Sequence, residues 1–517
     1  MKNWKKMLLV GLAMLFVTAT AAFAGNKIEL NVAGGDEDSM TLDTGAVKSM
    51  LGISACRHLY EGLYKLGPDG EIVLGQAESV DVSEDGMTWT FKIRDDAVWS
   101  DGKPVTTADF VCGWIHLAEQ DGPFKTLQDS TSVSLDVVDD KNMVMRLAYP
   151  CKFLPEVLAF VPTYPIREDY LDMYGSSYAT DPEKAVYNGP YEMTEWKHGE
   201  KVVMQRREDY YDSANISVKA INWNLTNNEY DALEAFERGE LDFSDLCPED
   251  EMARMQDAGL CYTPGSNNYC VMFNNGENGN DVLKDARVRK ALSLAIDREH
   301  LVEISGLNDM VLSTFMCTGF TDENGRDYTE YAPSWFDPDD YEANCEEARD
   351  LLAQAGYPDG AGFPELIYIT NTNGRKEVAE AVAYDWEKQL GIGSVDVYKV
   401  ENFFEARAAG DYDIAYFGWI MDYMDLSNMY CSMEAMAAND AFWENDDYKE
   451  EFYAGVRSLT QEEQWEHYAE CERILAEEVP AAPLFQKMDY YLFDDTVYDG
   501  LVFNCGCYVF TYITEKT

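Results

Sequence analysis

The stretch LIYITNTNGRKEVAEAVAYDWEKQLGIGSVDVYKVENFFEARAAGDYDIAYF, residues 366–417, decides the fold class of this chain. Short apolar runs typical of β-strands occupy 366–370, 395–400 and 413–417. Between them, the helical spacing of apolar residues predicts helices over 376–390 and 403–409. This β-α-β-α-β order predicts an α/β protein with a parallel, helix-covered sheet.

A carboxylate follows this series directly. Asp422 lies in FGWIMDYMDL, residues 417–426, just past the carboxyl end of the third predicted strand, where open α/β sheets bind their ligands. Its neighbours Trp419, Met421 and Tyr423 are apolar or aromatic, and an unpaired charge among such residues is destabilising or shifts its pKa. Three alternatives remain open: Asp422 faces water, pairs with an arginine of its own chain, or receives a cation from outside.

Other elements extend this pattern along the chain. Trp89, Phe91 and Ile93 alternate with polar residues and predict a strand. After the turn SDGKP, Thr106 and Asp109 resemble a capping box that opens a helix. Further strands are predicted at 191–196, 201–206, 221–225 and 241–244, and further helices at 231–238 and 342–355, from 285, and from Thr460 to before Pro480.

The N-terminus has the pattern of a secretory signal peptide. Lys2, Lys5 and Lys6 precede the apolar residues 7–17, and Ala22-Phe23-Ala24 forms a small-x-small cleavage site. We expect residues 1–24 to be removed and the mature chain to be extracytoplasmic, in the periplasm. No cysteine follows the apolar core, so we expect no lipid anchor.

Composition excludes several classes of partner. The chain has 517 residues, enough for two to four domains, and a formal net charge of −55, which disfavours nucleic acid and anionic membranes. Twelve cysteines allow up to six disulfides, or buried free thiols if the source lives without oxygen. The five histidines are scattered, and no cysteine spacing is typical of a zinc site. We therefore expect no metal and no cofactor.

Seven motifs along the chain carry a resemblance to a known family. FKIRDDAVWSDGKPVTTADFVCGW, residues 91–114, resembles the oligopeptide- and dipeptide-binding proteins, the family 5 solute-binding proteins of peptide ABC importers. The supporting motifs occur in the family's order and are RHLYEGLYKL (57–66), NGPYEMTEW (188–196), AFERGELDF (235–243), DARVRKALSLAIDRE (285–299), EEARDLLAQAGYP (346–358) and DYDIAYFGWIMDY (411–423).

The resemblance implies a two-lobed periplasmic-binding-protein-like fold with an additional inserted domain. The first lobe would be discontinuous, formed by 25–73, 187–269 and 488–517. The insert would be 74–186, appended to the first lobe. The second lobe would be 270–487, which contains the β-α-β-α-β series.

The resemblance also implies roles for six residues. Asp422 matches the aspartate that receives the α-ammonium group of a bound peptide. Trp419 would line the same crevice, or else be an ordinary core tryptophan, and Tyr423 is its neighbour there. Gly418 would expose backbone groups to the peptide. The two remaining residues are Glu61, which matches a glutamate at the edge of the ligand space, and Arg407, which would receive a ligand carboxylate or pair with Asp422 in the empty state.

The chain departs from the long-peptide binders near this site. Tyr416 stands where they have a second arginine, and Cys112 stands where a ligand-lining tyrosine often lies. Cys270 matches one member of a cysteine pair, but Ile420 replaces the other. A ligand carboxylate is therefore expected to be held differently.

The resulting function prediction is a monomeric, non-enzymatic receptor. It would capture short peptides between closing lobes and deliver them to the membrane permease of an ABC importer. The alternative keeps the fold and binds a nickel chelate, a sugar or haem. An exported hydrolase or chaperone is a further alternative, but the sequence contains no GxSxG, HExxH or GxxxxGK[ST] motif.

Overall fold

The structure, a computed structural model, describes residues 28–35, 40–47, 49–119, 134–305, 309–371, 373–436 and 440–516. The predicted signal peptide and its cleavage site after Ala24 lie outside these residues. Across the described ranges, no helix combines the length and apolar character needed to cross a bilayer.

The strands of the described residues are numbered in chain order. They are β1 (Ile28–Ala33), β2 (Tyr64–Leu66), β3 (Ile72–Leu74), β4 (Ala77–Val82), β5 (Thr88–Ile93), β6 (Ser134–Val137), β7 (Asn142–Arg146), β8 (Tyr191–Lys197), β9 (Lys201–Arg206), β10 (Val218–Asn224), β11 (Phe243–Ser244), β12 (Leu260–Phe273), β13 (Met310–Val311), β14 (Leu366–Thr370), β15 (Val395–Lys399), β16 (Ile414–Ile420), β17 (Ala481–Phe493), β18 (Tyr498–Asp499), β19 (Val502–Asn504), β20 (Cys507–Val509) and β21 (Thr514–Glu515).

The α-helices are numbered in the same way. They are α1 (Met50–Leu59), α2 (Thr107–Glu119), α3 (Leu154–Leu158), α4 (Glu168–Tyr174), α5 (Glu229–Glu237), α6 (Met252–Met255), α7 (Ala286–Leu294), α8 (Arg298–Ser305), α9 (Tyr328–Tyr331), α10 (Tyr341–Gln354), α11 (Asn373–Leu390), α12 (Phe403–Ala409), α13 (Leu426–Cys431), α14 (Asp446–Arg457) and α15 (Gln461–Glu478).

A large mixed sheet is the centre of the molecule. Its strand order is β15-β14-β16-β12-β17-β11-β1-β10-β9-β8, with β13 paired to β17 beside this path. Strand β14 pairs in parallel with both β15 and β16, as the β-α-β-α-β order predicts. Strand β16 pairs antiparallel with β12 on its other side. The expectation of parallel pairing is therefore correct for β14–β16, and β1 also pairs in parallel with β10 and β11. The whole sheet is mixed, because β12 and β17 add antiparallel pairs.

Two long strands connect the halves of this sheet. Residues 260–264 of β12 pair with 488–492 of β17, and residues 268–272 pair with 481–486. The register shifts between Pro264 and Asn268. Strand β17 then contacts β11 at one end, and β12 contacts β16 at the other. The two halves of the sheet therefore share β12 and β17, and meet at the break in register.

A separate antiparallel sheet, β4-β5-β7-β6, belongs to the segment between β3 and β8. Helix α2 accompanies it and buries Phe110, Trp114 and Leu117, which share one helical face. One half of the predicted capping box is present, because Asp109 Oδ2 accepts a hydrogen bond from the Thr106 backbone N–H at 2.8 Å. In place of the other half, the Thr106 hydroxyl donates to the same Oδ2 atom at 3.1 Å.

The predicted bounds of the α/β series agree closely with the structure. Strand β14 and helix α12 have the predicted ends, whereas α11 begins three residues earlier at Asn373. Strand β16 continues past 417 to Ile420, because apolar residues continue through Trp419 and Ile420 and β12 pairs with them. Asp422 consequently lies two residues beyond the strand.

Candidate functional site

Asp422 lies in a short loop between β16 and α13. Asp425 ends this loop as the N-cap of α13, where its carboxylate accepts a hydrogen bond from the Ser427 N–H at 2.9 Å. A cleft of about 240 Å³ opens beside the loop. Residues of four chain regions line it, namely Arg57, Leu66, Gly70, Glu71 and Ile72, then Glu156, Ala159 and Phe160, then Asp422, Tyr423 and Met424, and finally Asn504.

The Asp422 carboxyl is in an unusual electrostatic environment. Burial raises its pKa to about 7, although a hydrogen bond from the Asn428 side chain acts in the opposite direction. Within the described ranges, no lysine, arginine or histidine forms an ion pair with it. Of the three alternatives for Asp422, internal pairing with an arginine is therefore wrong for this structure, and a half-buried carboxylate open to a cleft remains.

Asn428 connects two of the predicted site residues. Its Oδ1 accepts a hydrogen bond from Trp419 Nε1 at 2.9 Å and another from the Asp422 backbone N–H at 3.2 Å. Asn428 is 2% exposed, so this network is shielded from water. The Trp419 indole is thereby half-buried and held against the loop, which fixes the position of Asp422.

Gly418 lies on an edge of β16 that is available for pairing. The β12–β16 ladder has a backbone hydrogen bond at each end. One runs from the Met421 N–H to Ser266 O, and the other from the Asn274 N–H to Asp413 O. In an antiparallel ladder alternate residues face the partner strand, so Gly418 directs its N–H and C=O away from β12. Pairing of β16 with β14 on that side ends at Ala415. A Cβ at Gly418 would lie 2.4 Å from Tyr416 Oη, so the tyrosine requires a glycine there.

Tyr423 closes one side of the cleft. Its ring stacks on Phe153, with the ring centroids 5.6 Å apart and an interplanar angle of 5°. Phe153 belongs to the segment that precedes α3, whereas Tyr423 follows β16. Tyr423 therefore contributes both to the lining of the cleft and to a contact across it.

The structure does not bring Arg407 to the cleft. Its Nε and Nη2 atoms lie 2.8 Å and 2.7 Å from Asp440 Oδ2. Phe403, Phe404 and Phe417 surround the guanidinium. The expected pairing of Arg407 with Asp422 is therefore corrected, because Asp440 already satisfies this buried cation.

Glu61 is likewise turned away from the Asp422 cleft. It is 2% exposed, and its carboxylate accepts hydrogen bonds from Tyr211 Oη at 2.8 Å and Gln76 Nε2 at 2.9 Å. Lys65 Nζ lies 3.1 Å from it, and Tyr210 donates a further hydrogen bond. Neighbouring side chains thus satisfy its oxygens, and the role of Glu61 at the edge of the ligand space stays a prediction.

Sequence reasoning missed Arg57, Asn504 and Glu156. Arg57 Nη2 donates to Asn504 Oδ1 at 3.2 Å, so these two residues form one wall of the cleft. Glu156 contributes from α3. No local pattern marks these residues as a site, since they are brought together only by the tertiary fold.

The cysteines do not form disulfides. All twelve carry free thiols, and Cys270 is buried beside β16 without a bonded partner cysteine. This corresponds to the predicted alternative of free thiols. Among the described residues, no group of three or more histidine, cysteine or acidic side chains is placed to hold a metal ion.

Comparison with known proteins identifies the family of this chain. The model of the bacterial extracellular solute-binding proteins, family 5, matches residues 71–440. The chain belongs to this family. The predicted resemblance is thereby confirmed, and with it the two-lobed α/β fold. Because proteins of this family bind solutes, a solute-binding cleft is the expected functional site.

Individual relatives agree with this assignment. The oligopeptide-binding protein OppA of Bacillus subtilis is 25% identical over 487 residues, which cover 89% of this chain and 88% of that protein. The periplasmic murein peptide-binding protein MppA of Escherichia coli is 28% identical over 480 residues, covering 87% and 86%. A Listeria monocytogenes OppA structure, bound to peptide, has the same fold, with a TM-score of 0.78 at 22% identity over 96% of this chain and 100% of that one.

Proposed function

We propose that this protein is a receptor that captures short peptides in the Asp422 cleft and delivers them to an ATP-driven importer in the membrane. The observation that carries the proposal is the Asp422 carboxylate, half-buried in a cleft and without an internal cation. A peptide α-ammonium group would supply the missing charge through a charge-assisted hydrogen bond. The relatives include oligopeptide-binding proteins, which supports the same class of ligand.

The edge of β16 supports recognition of the peptide backbone. Gly418 directs its N–H and C=O towards the side where β14 no longer pairs. An extended peptide would add to this edge as a further strand, which gives affinity that does not depend on side chains. The ammonium group would then sit at Asp422, and the chain would run along β16 towards Tyr416.

The arrangement of the chain supports a closing motion. We propose the three-domain division at 25–73, 187–269 and 488–517, with the insert at 74–186 and the second lobe at 270–487. In this division the chain passes between the lobes at 269–270 and at 487–488. Both positions lie next to the register break in β12 and β17. Ligand would be held by rotation about this break, which matches hinge closure in binding proteins.

We further propose a monomeric, exported receptor that performs no catalysis and needs no cofactor. Nothing favours the alternative solutes: a sugar or haem would leave the Asp422 charge unpaired. Turnover of any peptide by the purified protein would contradict the non-enzymatic part of this proposal.

Calorimetric titration of the mature protein, freed of ligand by partial unfolding and refolding, tests the proposal. The ligands are a pool of two- to five-residue peptides and the same pool N-acetylated. We expect binding that acetylation abolishes. The Asp422→Asn variant should weaken binding of the free-amine pool about 10- to 100-fold, because a charged hydrogen bond is lost.

A matched control is Asp411→Asn, which removes one exposed carboxylate before β16 and should leave affinity unchanged. Equal binding of both pools by the wild-type protein would place the ammonium contact elsewhere. Absence of binding by either pool would reject peptides as the ligand.

A further inference from the structure

A second carboxylate in the cleft has one oxygen without a hydrogen-bond partner. Glu156 lies on the short helix α3 and lines the same cleft as Asp422. Its Oε2 atom is buried and forms no hydrogen bond in the structure. An unsatisfied buried oxygen of this kind is destabilising, and more so when it is charged. The position of Glu156 in a binding cleft suggests that a ligand satisfies it.

The charged neighbours of Glu156 do not compensate it. Burial raises its pKa to about 7, and the nearby Asp425 also raises it, whereas a backbone hydrogen bond and Lys152 act in the opposite direction. Lys152 lies near both Asp425 and Glu156. Among the described residues, no lysine, arginine or histidine forms an ion pair with Glu156.

The other polar residues of the cleft are already engaged. Arg57 donates its Nη1 and Nη2 hydrogens to Asn504. Glu71 accepts a hydrogen bond from the Asp69 backbone N–H at 2.9 Å. Asp422 has only the neutral Asn428 beside it. Glu156 and Asp422, which come from different segments of the chain, are thus the two buried carboxylates of the cleft that a ligand donor would satisfy.

We propose that the cleft selects peptides whose first residue carries a cationic side chain, with Asp422 receiving the α-ammonium group and Glu156 receiving the side-chain cation. The inference rests on the proposed peptide-binding function and specifies its substrate class. The α-ammonium and side-chain groups of such a residue belong to one amino acid, so a single ligand residue offers a cation to each of the two carboxylates that line the cleft. Each positive charge of the ligand would offset the free-energy cost of burying one carboxylate. Neither carboxylate offsets this cost without the ligand.

The test compares two tripeptides by calorimetry on the wild-type protein. Lys-Ala-Ala carries the side-chain ammonium group, whereas norleucine-Ala-Ala has the same unbranched carbon chain without it. We expect Lys-Ala-Ala to bind about 10- to 100-fold more tightly, the range for one charged hydrogen bond. Glu156→Gln should reduce this ratio to near one and leave the affinity for norleucine-Ala-Ala unchanged.

Glu168→Gln is the matched control, because it neutralises an exposed glutamate on the nearby helix α4 and should keep the ratio. Equal wild-type affinities for the two tripeptides, or an unchanged ratio in Glu156→Gln, would overturn this inference and leave the peptide receptor intact. If neither tripeptide binds, or if 1,5-diaminopentane binds as tightly as Lys-Ala-Ala, the peptide function itself fails and the inference with it.

Discussion

The Phe153 and Tyr423 rings stack with an interplanar angle of 5°, which joins the segment before α3 to the loop that carries Asp422. If this contact holds the cleft closed, its loss should speed ligand release. We expect Phe153→Leu to raise Kd about 3- to 10-fold, the range for one aromatic pair, mainly through the dissociation rate. Stopped-flow kinetics measures this effect. Phe404→Leu, at an exposed position, is the control, and an effect on the association rate alone would contradict the prediction.

Ligand binding should depend on pH through Asp422. Because its pKa is about 7, the carboxylate is largely protonated at pH 5 and cannot attract an ammonium group well. Affinity for an alanine-first peptide should rise from pH 5 to about 7.5, then fall as the peptide α-amino group deprotonates near pH 8. The nearby Cys505 thiol stays neutral in this range, since burial raises its pKa to about 12. Titrations at several pH values would show a flat profile if Asp422 were not involved.

The same carboxylate should reduce the stability of the empty protein. The folded-state pKa of Asp422 lies above its usual value of 3.8, so the folded protein binds the proton more tightly than the unfolded chain does. Stability is therefore lost as pH rises from about 4 to 7. We expect Asp422→Asn to melt a few degrees above the wild type at pH 8 and at nearly the same temperature at pH 4. An equal difference at both pH values would exclude titration as the cause.

Asn428 should influence the pKa of Asp422, and with it the pH range over which ligand binding changes. Its side chain provides the hydrogen bond that lowers the pKa of Asp422 against the effect of burial. Asn428→Leu keeps the volume but removes the donor, so the pKa should rise further and the acid limb of the binding profile should move to higher pH. Trp419→Phe leaves the Asn428–Asp422 hydrogen bond in place, and its acid limb should stay where it is. A shift of equal size in both variants would indicate a general distortion of the loop.

Arg407 should matter for folding rather than for the ligand. Its guanidinium and the Asp440 carboxylate form a pair whose side chains are 6% and 13% exposed. Removing one partner of a buried pair leaves the other charge uncompensated, so Arg407→Met should lower the free energy of unfolding by about 3–5 kcal/mol. Urea unfolding measures this loss, and the double variant with Asp440→Asn should recover part of it. Different effects of Arg407→Met on peptides with free and amidated carboxyl ends would instead indicate a ligand contact.

The local parts of the fold could be predicted from the sequence. Strand β14 and helices α11 and α12 have clear apolar periodicity and recognisable ends, so their bounds agree with the structure to within a few residues. The antiparallel pairing of β12 with β16 could not be predicted in this way. The two strands are far apart in the chain, and nothing in the local pattern of either strand specifies its partner.

The same distinction applies to the candidate site. Asp422 could be identified because a carboxylate among aromatic residues, just after a strand, is conspicuous in a single short stretch. Glu156 and Asn428 could not, because each is an ordinary polar residue until the fold places it against the cleft or under the loop. The surroundings of Glu61 and Arg407 could not be predicted for a related reason. Their internal partners, such as Tyr211 and Asp440, become neighbours only in three dimensions.

The position of β17 in the sheet has a consequence for the order of folding. Strand β1 lies near the start of the described chain, yet it reaches β17 only through β11, and β17 ends at Phe493. The core sheet therefore cannot be completed until nearly the whole polypeptide has been synthesised. Contacts between such distant segments form slowly. A chain of this topology stays incompletely folded during synthesis, which is the state in which a secretory translocation channel can accept it.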